Sequence, residues 1–91
     1  MFTFEWDDAK AAGNLKKHRV SFDEAVSVFG DSQAITFVDT EHSESEDRSR
    51  TYGISSKGRL LVVVHTERKN YVRIISARKA TKYEKSIYEQ V

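Results

Sequence analysis

Cysteine and proline are both absent from this 91-residue chain, and glycine occurs only four times. Without cysteine, neither a disulfide nor a thiolate metal site can hold the fold, which suits a reducing compartment. Four glycines leave no glycine-rich phosphate loop. The longest apolar run, Leu60 to Val64, is far too short to span a bilayer. The opening residues, MFTFEWDD, lack the basic-then-apolar order of a signal peptide. Together these absences lead us to expect a soluble, cytoplasmic protein with no membrane partner.

What is present bounds the rest. The length suits a single domain over residues 1–91, with a modest core. Apolar residues make up 38% and charged residues 32%, so the surface is well solvated and the core is lean. The net charge of +1 conceals an asymmetry. From Lys57 to Lys85 there are nine Lys or Arg against only Glu67 and Glu84, whereas Asp39 to Asp47 holds five acids and no Lys or Arg. A basic half beside an acidic loop suggests a polyanionic partner for one surface, with plain surface solvation as the alternative.

Periodicity gives the element order. Phe2 to Trp6 alternates apolar and polar as a half-buried strand does. Asp7 is a good N-cap for a helix over 8–18, with Ala12 and Leu15 expected toward the core and Lys10, Lys16 and Lys17 outward. Ser21 and Glu24 have the spacing of a capping box, and Phe22, Ala25, Val26 and Phe29 form one apolar stripe ended by Gly30-Asp31. Ala34 to Val38 is short and β-prone. DTEHSESEDRS reads as a solvated loop. Strands follow at about 49–55, 60–66 and 71–78, joined by links short enough to force antiparallel pairing. Thr81 and Glu84 make a second capping box, for a helix packed through Tyr83, Ile87, Tyr88 and Val91. The expected class is α+β: an N-terminal strand and two helices on a mainly antiparallel sheet of about four strands, then a C-terminal helix. Leu60 to Val64, apolar on both faces, should be the central strand. It and Phe4 and Trp6 read either as core or as a surface for a partner protein.

Four clusters are candidates for chemistry. Lys17-His18 ends the first helix, where an imidazole can exchange protons near neutral pH or simply satisfy the helix terminus. Glu46 and Arg48 share a face of an extended chain, either as a surface ion pair or to hold a phosphate. In RIISAR, regular alternation puts Ser76 and Arg78 on one face and Arg73 on the other. Either a bulge re-aims one arginine, or one binds ligand while the other pairs with an acid. The three histidines, 18, 42 and 65, lack ligand spacing, so no metal or cofactor is expected. Cationic donors with at most one imidazole and one carboxylate suit RNA cleavage by the substrate's own 2′-hydroxyl. That reaction needs a base, an acid and cations for the charge growing on phosphorus. A nucleic-acid-binding module without catalysis and a pure interaction protein are the rival readings.

The phrases FEWDDAKAAGNLKKHRVSFDEAVSVF, EDRSRTYGIS, LLVVVH and RIISARKATKYEKSIYE, in that order, resemble the BrnT family of type II toxins. WD-x-x-K, N-x-x-KH, VSF-x-EA and RIISAR together carry the resemblance over nearly the whole chain. It implies a fold similar to RelE-type ribonuclease toxins, RNA cleavage that halts translation, and neutralisation by a small BrnA-type antitoxin. The antitoxin would supply DNA binding, and a dimer within the toxin–antitoxin complex is left open. The positions that match the family's polar motifs are Lys17, His18, Glu46, Arg48, Arg73, Ser76 and Arg78. One departure is Arg19, where the family commonly has glycine. A left-handed helix stop there would strain an arginine or be altered by it.

Overall fold

A computed structural model describes residues 3–39 and 48–90. The expected loop 40–47, with Glu46 and His42, lies outside the described residues, as do Phe2 and Val91. In chain order the elements are β1 (Thr3–Glu5), α1 (Asp8–His18), α2 (Phe22–Ser27), a 3-10 turn (Val28–Gly30), β2 (Ile35–Asp39), β3 (Arg48–Ile54), β4 (Leu60–Glu67), β5 (Tyr71–Lys79) and α3 (Lys82–Glu89). The class is α+β, as the sequence implies. The sheet has five strands rather than about four, in the order β1-β5-β4-β3-β2. β2 to β5 pair antiparallel, and β1 joins the far edge parallel to β5. Phe4 and Trp6 anchor β1 by packing on Phe29 and Phe22, with ring centroids 5.2 and 5.9 Å apart.

α1 and α2 cover one face. Val20, Phe22, Ala25 and Val28 meet Leu61, Val63, Val72, Ile74 and Ala77 in one buried cluster. β4 is central: Leu61 and Val63 join this cluster, while Val62 is buried on the opposite face of the sheet. The 3-10 turn drives Val28 against β3 so closely that a Cβ on Gly53 would sit 2.7 Å from the Val28 side chain. Glycine is required there for space and not for its backbone freedom.

Three local expectations change. α1 turns Ala11 and Asn14 inward, whereas Ala12 is exposed and Leu15 is 49% exposed. The cause is Asn14, whose amide spans a gap at the β5 edge beyond the end of short β1. It donates to the carbonyls of Val20 and Ala77 and accepts from the Ala77 N–H. At α2, Ser21 Oγ accepts from the Glu24 N–H, but the Glu24 carboxylate leaves the cap to accept from Arg59 and Ser55. Only half the capping box forms there. At α3 both halves form, yet Tyr83 is 74% exposed instead of packed.

Candidate active site on the open sheet face

The face turned away from α1 and α2 is built by strand register. Residues directly opposite one another in adjacent strands point to the same side. One row across the sheet reads Asp39, Arg48, Thr66, Arg73 and Glu5. The next reads Phe37, Arg50, Val64 and Ser76, and the third Ile35, Tyr52, Val62 and Arg78. Neighbouring strands lie about 4.8 Å apart, so Arg48 and Arg73 flank Thr66 about 10 Å from each other.

A bulge makes this possible. Val64 pairs with Ser76 and His65 with Ile74, leaving Ile75 as an extra residue on β5. The extra residue shifts the alternation by one, so Arg73 and Arg78 come to share a face that regular pleating would deny them. Each also has an acid. Arg73 forms an ion pair with Glu5 on β1. Arg78 forms a two-pronged pair with Glu84 on α3, at 2.7 and 2.8 Å. Glu84 accepts from the Thr81 N–H as well. Hydrogen bonds from Arg78 hold the Glu84 carboxyl at about 2, well below the usual carboxylate range. The same contacts raise the Arg78 guanidinium.

Arg50 differs from both. Its Nε is buried and meets no hydrogen-bond partner, and no carboxylate pairs with it among the described residues. Thr66 Oγ1, at the centre of the first row, is likewise buried without a partner. Unsatisfied buried donors cost stability, and a ligand oxygen would satisfy them. Neither residue was singled out from the sequence. The spacing that puts Glu46 and Arg48 on one face extends to Arg50, so that signal was available. Thr66 emerges only from its register opposite Arg48.

Of the expected site residues, the fold brings Arg48, Arg73, Ser76 and Arg78 to this face. Lys17 and His18 belong to the helical layer. They end α1, which lies along the β5 edge, and His18 is half-buried. Among the described residues neither makes an ion pair or hydrogen bond with the arginine rows. His65 lies on the core side, stacked edge-on against Phe29, with Nε2 2.7 Å from Thr51 Oγ1. Burial lowers its pKa and keeps the ring neutral. Among the described residues no three His, Cys, Asp or Glu are placed to hold a metal ion.

The comparisons agree with this architecture. No curated protein sequence matches the chain. Among solved structures it is similar to the 1.1 Å crystal structure of the Brucella abortus ribonuclease toxin BrnT, with a TM-score of 0.68 and 19% identity, over 90% of this chain and 100% of that one. The family model for the ribonuclease toxin BrnT of type II toxin–antitoxin systems matches residues 6–84. The chain therefore belongs to the BrnT family of ribonuclease toxins from type II toxin–antitoxin systems.

Proposed function

We propose that this protein is a cytoplasmic endoribonuclease toxin that cleaves RNA without a metal, by attack of the 2′-hydroxyl on the adjacent phosphate, and so halts translation. A small antitoxin of the BrnA type neutralises it and carries the complex to DNA. The family match supports an RNA substrate and an antitoxin partner. The observation that carries the chemistry is the open face, where one sheet row sets Arg48, Thr66 and Arg73 side by side and Ser76 and Arg78 stand in the rows beyond.

On this reading the guanidinium groups of Arg48, Arg73 and Arg78 hold the scissile phosphate and the charge that grows on it, and Ser76 adds a hydroxyl donor. Preorganised cations of this kind act most strongly where charge develops in the transition state. Glu5 and Glu84 hold Arg73 and Arg78 from either end. Proton transfer goes to Glu46, two residues before Arg48, or to His18 with Lys17 raising the local potential. The reaction needs a base for the 2′-hydroxyl and an acid for the leaving 5′-oxygen; we assign His18 to one of these steps, and Glu46 to exchange the other proton or to orient Arg48.

The test is cleavage of a defined RNA by the purified protein in EDTA, with the new ends mapped. Wild type should leave cyclic phosphate or 3′-phosphate ends. Arg73→Ala should cut at least about 100-fold more slowly, as expected for loss of one charge-stabilising group. His18→Ala should likewise cut about 100-fold or more slowly, as expected for loss of a general acid or base. Full activity in His18→Ala would remove the imidazole from proton transfer. No cleavage by wild type, with or without translating ribosomes, would end the ribonuclease reading.

A further inference from the structure

A cleft of about 350 Å³ opens between the sheet face and α3, lined by Phe37, Arg50, Tyr52, Tyr83, Glu84 and Ile87. Gripping a phosphate accounts for none of its aromatic wall. Phe37 stands opposite Arg50 in the second row, and the Tyr52 ring is 5.2 Å from it. Tyr83 comes to the cleft from α3 and leaves 74% of its surface in solvent. Folding covers Tyr52 but leaves the Phe37 and Tyr83 rings open to a planar partner. Exposed aromatic rings on a positively charged surface are what bases stack on in single-stranded nucleic acid recognition.

Two polar groups define the edges of the cleft. Arg50 brings a guanidinium whose Nε has no partner. Glu84 brings a carboxylate whose Oε1 already accepts from Arg78 and Thr81, whereas among the described residues Oε2 accepts only from Arg78. One carboxylate oxygen therefore keeps a free lone pair. Arg50 is also two residues from Arg48 on the same strand face, about 7 Å along the strand. The cleft thus adjoins the phosphate row.

We propose that this cleft binds a purine base of the RNA beside the scissile phosphate, guanine in preference to adenine. It rests on the reading of the open face as an RNA site. Guanine presents O6 and N7 as paired acceptors, the pattern that an arginine fork matches, and it carries N–H donors on its other edge for the carboxylate. Adenine places an amino donor where guanine has O6, so it meets Arg50 with the wrong sign. A pyrimidine offers one ring to a cleft walled from two elements.

The test is an NMR titration with guanosine, adenosine, uridine and cytidine 5′-monophosphates, using wild type, Tyr83→Ala and Phe37→Ala. Guanosine monophosphate should move the resonances of Phe37, Tyr52 and Ile87. It should bind about threefold tighter than the adenosine nucleotide, and each variant should weaken it about tenfold, as loss of one stacking partner does. Equal response to all four nucleotides, or unchanged binding in both variants, overturns the proposal. Adenosine monophosphate matching guanosine overturns the guanine preference. Binding is read here without cleavage. A protein that binds guanosine monophosphate in the cleft but cuts no RNA refutes the ribonuclease and keeps the base site. One that cuts RNA with no response at these residues does the reverse.

Discussion

Arg19 is the one described residue other than glycine with a positive φ, at 60°. It closes α1 in the left-handed region, donating its N–H to the Leu15 carbonyl at 2.9 Å. Its own carbonyl accepts from Arg59 Nη2 at 3.0 Å. Left-handed backbone costs an L-residue about 1–2 kcal/mol, and glycine escapes that at an entropic cost of roughly half as much. Arg19→Gly should therefore stabilise the protein by about 0.5–1 kcal/mol, read as a higher urea midpoint at unchanged m-value. Arg19→Ala, which keeps the Cβ, should gain little. The left-handed form of this stop was raised only by the resemblance, whose glycine Arg19 replaces, whereas the end of α1 itself was legible in the sequence because helix signals are local. Asp7, Ser21 and Thr81 were found by the same logic, and all three accept the N–H expected of an N-cap. Asn14 was not found. Its partner at Ala77 is 63 positions away, and no spacing rule reaches that far.

α3 is held to the sheet by two polar contacts more than by apolar cover. At its start Glu84 grips Arg78, and near its end the Tyr88 hydroxyl donates to Asp31 Oδ2 at 2.6 Å. Asp31 accepts from the Ile54 N–H too, and its carboxyl is lowered chiefly by that bond. For Glu84 the folded pKa of about 2 lies below the ordinary 4.5 of a glutamate. A carboxyl depressed in this way contributes stability that is complete above about pH 4.5 and is lost as pH falls toward 2. Glu84→Gln should thus cost about 2 kcal/mol at neutral pH, after allowing for the partly exposed Arg78, and the gap to wild type should narrow steadily below pH 4.5. Equal gaps at pH 7 and pH 3.5 in denaturant titrations would refute the assignment. At this scale the antiparallel order of β3, β4 and β5 was legible from their short links. The bulge was open as one of two possibilities, because alternation along β5 does not reveal how β4 pairs with it. The parallel place of β1 was hidden for a related reason: three residues carry no signal for a partner that enters near the other end of the chain.

Across the whole molecule the charge asymmetry resolves into faces. The basic second half supplies β4, β5 and α3, and its arginines at 73 and 78 join Arg48 and Arg50 of β3 on one side of the sheet. If that side tracks RNA, the logarithm of the affinity for a single-stranded oligonucleotide should fall linearly with the logarithm of salt concentration, and Arg73→Ala should flatten the slope by about 0.7. A slope unchanged in that variant would remove Arg73 from the phosphate contacts. The strand order carries a last consequence, for a chain made on the ribosome from its N-terminus. Glu5 leaves first, but the arginine it pairs with follows 68 residues later, and Glu84 later still. The β5 edge that Asn14 secures is also among the last segments to emerge. The arginine-lined face therefore cannot assemble while most of the polypeptide is still being synthesised. A ribonuclease toxin built in this order gains its arginine face only near the end of its own synthesis, which leaves that interval for its antitoxin to be at hand.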